Sequence, residues 1–304
     1  MACRGLGVSG FHELHATDWG PKRSRRVVVC AHGYSGNGRD FDPLAIALAA
    51  RGYRVICPDV VGRGESAWLA TPLQYHFPRF LADVRTLLAH LGVSEVDWIG
   101  TSMGGLLGML LAAQATTPVR RLAMNDVGAF LPMDALKHIA RNLEAPATFP
   151  SLAAVEAHLR HTHRDWGTID EAQWKRLARH HAFHDADGWH LHYDPQIAIM
   201  ANPPRLGPGI ALWDAWYRVR CPALLLRGEH SAVFPPEVAQ AMLDSKPDAR
   251  LEGVAGAGHA PSLMSEPEIA LLLDFLGPEP RAAAGVSPES RHEPPRPPRP
   301  SRTA

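Results

Sequence analysis

Short apolar runs rich in β-branched residues alternate along this chain with longer stretches whose apolar positions recur at helical spacing. Residues 26–31 (RVVVCA) form a continuous apolar run, the signature of a strand buried on both faces. Further strands are predicted at 11–16, 53–57, 96–99, 121–125, 223–226 and 250–254. Helices are predicted at 42–50, closed by Gly52, and at 78–91, where Phe80, Leu81, Val84, Leu87, Leu88 and Leu91 fall on one face. Others are expected at 103–115 and 266–276. Strands alternating with helices predict a mostly parallel sheet covered on both faces.

One stretch breaks this rhythm. Residues 130–217 offer no convincing strand and several helical patterns, and they lie between two strands, so an inserted helical cap is expected there. The core then divides into 1–129 and 218–277. Residues 278–304 are rich in Pro, Arg, Ser and Glu with almost no large apolar side chain, the composition of a disordered tail.

Composition narrows the class. Of 304 residues 46% are hydrophobic, enough for an ordinary globular core. Lys plus Arg (31) balances Asp plus Glu (31), which argues against nucleic acid as a partner and leaves a small-molecule substrate. Cys3, Cys30, Cys57 and Cys221 form no C-x-x-C pair and read as reduced thiols. Residues 1–20 lack the pattern of a secretory leader, and no apolar run approaches the roughly 20 residues of a membrane span. A cytoplasmic protein with no membrane partner is expected; oligomeric state stays open. The histidines crowded between 158 and 192 have no metal-ligand spacing, and no phosphate-binding glycine pattern occurs, so neither metal nor cofactor is expected. Trp213, Trp216 and Tyr217, at helical spacing, read as core packing before pocket lining.

The chemistry concentrates at three places. The strand at 96–99 runs into Gly100-Thr101-Ser102-Met103-Gly104-Gly105 and a helix follows at once. A serine on so tight a strand-to-helix turn needs small residues two before and two after it, and it stands exposed at the sheet edge. Ser102 is the candidate nucleophile. The first long buried strand ends in Ala31-His32-Gly33-Tyr34, so the backbone N–H groups of Tyr34 and Met103 are the candidate oxyanion hole. His259, in the loop Gly256-Ala257-Gly258-His259, is the candidate general base.

These pieces, with Asp59-Val60-Val61-Gly62-Arg63-Gly64-Glu65-Ser66, make the chain resemble the α/β-hydrolase superfamily from about residue 8 to 277. The resemblance implies an eight-stranded, mostly parallel sheet with helices on both faces and an inserted cap. It implies hydrolysis of a carboxylic ester or lactone through a serine acyl-enzyme. Carbon–carbon bond hydrolysis of a small diketone and a non-catalytic ligand-binding role are the alternatives. The 62–64 loop is read as structural, shaped by its glycines. Relatives usually carry an Asp three or four residues past the glycine matching Gly228; here those positions are Ser231 and Ala232. Some relatives, such as haloalkane dehalogenases, take the acid from the end of the previous strand, where this chain has Asp126. Asp126 is therefore the candidate acid, with Glu229, or no acid at all, as the alternatives.

Overall fold

The structure is a computed structural model that describes residues 1–142, 147–201 and 208–277. The segment expected to be a disordered tail, 278–304, lies outside the described residues.

The chain opens with a hairpin of β1 (Ala2–Gly7) and β2 (Gly10–Trp19), paired antiparallel through a turn closed by Gly10 at φ 103°. Then follow β3 (Val27–Ala31), α1 (Asp42–Ala50), β4 (Arg54–Pro58), α2 (Phe77–Leu91), β5 (Val96–Thr101), α3 (Met103–Ala112) and β6 (Val119–Asn125). After β6 come β7 (Phe130–Pro132), α4 (Met133–Asn142), α5 (Leu152–Thr162), α6 (Glu171–His180), β8 (Ala182–Asp185), β9 (Gly188–Leu191), β10 (Gly209–Ala211) and α7 (Trp213–Trp216). The chain closes with β11 (Ala223–Gly228), α8 (Pro236–Ser245), β12 (Arg250–Val254) and α9 (Glu266–Leu276).

Eight strands form one sheet in the order β1-β2-β4-β3-β5-β6-β11-β12. The pairs from β4 to β12 are parallel, and only β1–β2 and β2–β4 run antiparallel. Side-chain alternation assigns each strand residue to a face. Val27, Val29, Ile56, Trp98, Leu122, Met124 and Leu225 pack with Phe80, Leu87, Leu107 and Met242 of α2, α3 and α8. Their neighbours Val28, Cys30, Val55, Cys57, Ile99, Ala123, Leu224 and Leu226 pack with Leu44, Leu48, Leu272 and Leu276 of α1 and α9. Helices on both faces explain why these strands read as unbroken apolar runs.

The expectation that 130–217 would hold no strand is corrected: among the described residues four strands of three or four residues lie there, as the pairs β7–β10 and β8–β9. They are too short to develop a period of two. β1 was also missed, because ACRGLG is glycine-rich and lacks β-branched residues. α5 and α6 pack on each other around Val155, Leu159, Trp174 and Leu177, with Met264 from the α9 side joining them. Among the described residues no helix is long and apolar enough to cross a membrane.

Candidate active site

A single residue, Ser102, separates the end of β5 from the start of α3. Ser102 sits at φ 51° and ψ −113°, a conformation that costs a non-glycine residue free energy. The glycines around it are steric necessities. A Cβ on Gly100 would overlap the carbonyl of Gly104, and one on Gly104 would overlap that of Ala31 at the end of β3. The Ser102 N–H donates to the Asn125 carbonyl at 2.9 Å, tying the turn to β6.

The predicted residues converge. His259 Nε2 lies 3.0 Å from Ser102 Oγ, and its Nδ1 lies 2.7 Å from Asp126 Oδ2. A carboxylate only accepts, so Nδ1 carries the proton and Nε2 is left to accept from the serine hydroxyl. Asp126 follows directly on β6, with φ 55°, in the left-handed region that Asp tolerates better than most residues. It is fully buried. The Gly228 N–H donates to its Oδ1 at 2.8 Å, and the Ser231 hydroxyl donates to its Oδ2 at 2.5 Å. Glu229 lies elsewhere: its carboxylate accepts from the Gly256 N–H at 2.8 Å, and the side chain is exposed.

Two groups that sequence reasoning did not single out hold this arrangement. Asn125 Nδ2 donates to Thr101 Oγ1 at 3.0 Å and to the Pro261 carbonyl at 2.8 Å, clamping the serine turn to the histidine loop. Arg63, expected only to fill a glycine-shaped loop, is fully buried. It donates from Nε to the Tyr34 carbonyl at 2.9 Å and from Nη1 to the Val61 carbonyl at 3.0 Å, and its Nη2 is 3.8 Å from Met103 Sδ. A single guanidinium thus touches both residues predicted to supply oxyanion donors. Burial lowers its pKa to about 10, which leaves it cationic at neutral pH. Neither residue announces itself in sequence, because their partners are backbone carbonyls and residues distant along the chain.

The loop after β3 is braced by its own histidine. His32 Nδ1 is 2.7 Å from the Gly33 carbonyl, so it carries the proton, and Nε2 accepts from the Val60 N–H at 2.9 Å. Burial pushes the His32 pKa down to about 4, keeping the ring neutral and in that tautomer. Gly33 and Tyr34 line one cleft with Ser102 and His259; Ile139, Thr162, His163 and Trp166 close it from the segment that follows β6. Met103 begins α3, with its side chain buried. Trp213, Trp216 and Tyr217 lie away from the cleft. Trp216 is buried and donates from Nε1 to Ser245 Oγ at 2.9 Å, while Tyr217 is exposed and stacks on Trp213.

Comparison with known proteins agrees with this architecture. Residues 26–158 match the family model described as the alpha/beta hydrolase fold. The chain is similar to a 3-hydroxybutyrate-oligomer hydrolase of Cupriavidus necator, 38% identical over 89% of this chain and 95% of that protein. It is also similar to a pimeloyl-[acyl-carrier protein] methyl ester esterase of Neisseria meningitidis, 28% identical over 88% of this chain and 83% of that one. Among solved structures, an α/β hydrolase from Novosphingobium aromaticivorans superposes with a TM-score of 0.80 at 31% identity, covering 91% of this chain and 97% of that one. The eight-stranded sheet, the helices on both its faces and the extent of these similarities lead to one conclusion: this chain belongs to the α/β-hydrolase family.

Proposed function

We propose that the protein hydrolyses carboxylic esters through a covalent serine intermediate, and that its substrates are short linear oligoesters of 3-hydroxybutyrate. The observation that carries the chemistry is the hydrogen-bonded chain from Ser102 through His259 to Asp126. In this reading Ser102 Oγ attacks the ester carbonyl while His259 Nε2 takes its proton. Asp126 holds the ring in the required tautomer and stabilises the imidazolium. The N–H groups of Tyr34 and Met103 receive the oxyanion, with the start of α3 adding its favourable dipole. Collapse expels the alcohol, which takes the proton from His259. Water activated by the same ring then frees the acid. The residues after β6 act as a cap, since Thr162, His163 and Trp166 share the cleft with Ser102. The substrate class is supported by the Cupriavidus necator relative, which matches nearly end to end.

The experiment is hydrolysis of 3-hydroxybutyrate dimer and trimer by wild type and Ser102→Ala, followed as acid release. Wild type should turn both over and be labelled at Ser102 by a fluorophosphonate probe. Ser102→Ala should lose about six orders of magnitude in turnover. A Ser102→Ala protein retaining more than roughly a tenth of wild-type activity would remove Ser102 from the mechanism.

A further inference from the structure

His163 follows α5 at its C-terminal end and lines the same cleft as Ser102 and His259. Its ring is fixed. It meets Trp166 edge to face, centroids 4.1 Å apart, and its Nδ1 lies 2.8 Å from Thr162 Oγ1 and 3.2 Å from the Leu159 carbonyl. The carbonyl can only accept. The Thr162 hydroxyl directs its proton to the His158 carbonyl at 3.0 Å, so toward His163 it also accepts. Nδ1 therefore carries the proton, and Nε2, on the other side of the ring, presents a bare lone pair. Among the described residues no hydrogen bond engages Nε2. Burial, and then the neighbouring His181, lower the ring's pKa to about 3, so this lone pair stays available at neutral pH.

A neutral acceptor in the cleft that also holds Ser102 calls for a donor on the substrate. The ester groups of an oligoester only accept. Its alcoholic donor is the hydroxyl at one end, two carbons from the first ester carbonyl, so hydroxyl and carbonyl fit one cleft. We infer that His163 determines specificity by accepting a hydrogen bond from the free 3-hydroxyl of the acyl unit whose carbonyl Ser102 attacks. The protein then cleaves oligoesters from the hydroxyl end, one unit at a time. This inference rests on the ester-hydrolase reading above. The apolar Ile139 and Trp166, which line the same cleft as His163, suit the methyl and methylene groups of such a unit.

The test compares kcat/KM for the p-nitrophenyl esters of 3-hydroxybutyrate, butyrate and 3-methoxybutyrate. Wild type should favour the hydroxy ester over the other two by about tenfold or more, because a polar group built to pair with a hydroxyl is left unpaired by its analogues. His163→Phe should reduce the hydroxy-to-butyrate ratio about tenfold, and His163→Gln, which keeps an acceptor, should retain part of it. If His163→Phe lowers both esters by the same factor, the residue is structural and the inference is overturned. Should that variant fail to fold, the wild-type comparison still decides, since equal turnover of hydroxy and methoxy esters also overturns it. A wild type that is labelled by fluorophosphonate and cleaves butyrate without preferring the hydroxy ester defeats this inference alone. A wild type inert to all esters and to the probe defeats the ester-hydrolase reading as well.

Discussion

Ser231 donates its hydroxyl to Asp126 Oδ2, the same carboxylate oxygen that faces His259 Nδ1. Ser231 thus stands in the loop after β11, where the family resemblance implies an acid, and it donates to a carboxylate that follows β6. Its Oγ also accepts from the N–H groups of Val233 and Phe234, each at 3.2 Å, so it shapes its own loop as well. Ser231→Ala removes one donor to the carboxylate and one acceptor for the loop. It should cost about 1–2 kcal/mol of stability, read by urea unfolding, and lower turnover no more than about tenfold. A larger loss of turnover with unchanged stability would assign Ser231 a part in the chemistry itself.

Asp126→Asn is the sharper substitution. The amide can still take the Gly228 N–H on its oxygen, but its NH2 group would then face Ser231 and His259 where a carboxylate now accepts. The imidazolium loses its counter-charge and the ring is driven toward the wrong tautomer. Turnover should fall about three to four orders of magnitude with the fold retained by circular dichroism. Glu229→Gln, in contrast, should stay within a few-fold of wild type, because its carboxylate serves the Gly256 N–H at the surface. Ala232→Asp should bring no gain, since residue 232 is exposed.

The elbow and the histidine loop were legible because local chain geometry dictates their residues. Gly100 and Gly104 are demanded by contacts within a few residues and with the adjacent strand, and a period-two or period-3.6 pattern brackets them. Strands β3, β4 and β11 were legible because burial on both faces leaves continuous apolar runs. The acid stayed open because an Asp after a strand has many ordinary uses, and only the tertiary fold brings Gly228, Ser231 and His259 around Asp126. His163 was one histidine among many. Its distinction lies in a tautomer fixed by the end of α5, which spacing alone does not encode.

Arg63 should matter more than its surface-loop sequence suggests. Its fully buried guanidinium donates to the carbonyls of Tyr34 and Val61. Arg63→Met keeps much of the volume but leaves the buried Val61 carbonyl and the partly buried Tyr34 carbonyl without this donor, so stability should fall by roughly 2–3 kcal/mol in urea unfolding. The Tyr34 peptide then loses one of its anchors, and turnover should drop about tenfold beyond any loss of folded protein. Arg63→Lys should recover little of either, because an ammonium group cannot reproduce the fork that spans both carbonyls.

Acid should destabilise the protein well before its carboxylates titrate. His32 has a pKa of about 4 in the folded chain against about 6.5 when unfolded. Above pH 6.5 neither state binds the proton, and the full stability is present. As pH falls below 6.5 the unfolded chain takes up a proton that the native one refuses, so the unfolded state is favoured. This loss continues down to about pH 4 at about 1.4 kcal/mol per pH unit. His163, lowered to about 3, adds a similar slope over the same range. Urea unfolding between pH 6 and 4.5 should therefore show stability falling by about 2–3 kcal/mol per pH unit from these two rings. His163→Phe removes one titrating group, so its curve should be flatter than wild type by about 1.4 kcal/mol per unit, whatever its absolute stability at pH 7. Parallel curves for wild type and His163→Phe would mean that this ring is protonated as readily in the folded chain as in the unfolded one, and the fixed neutral tautomer assigned to it would be wrong.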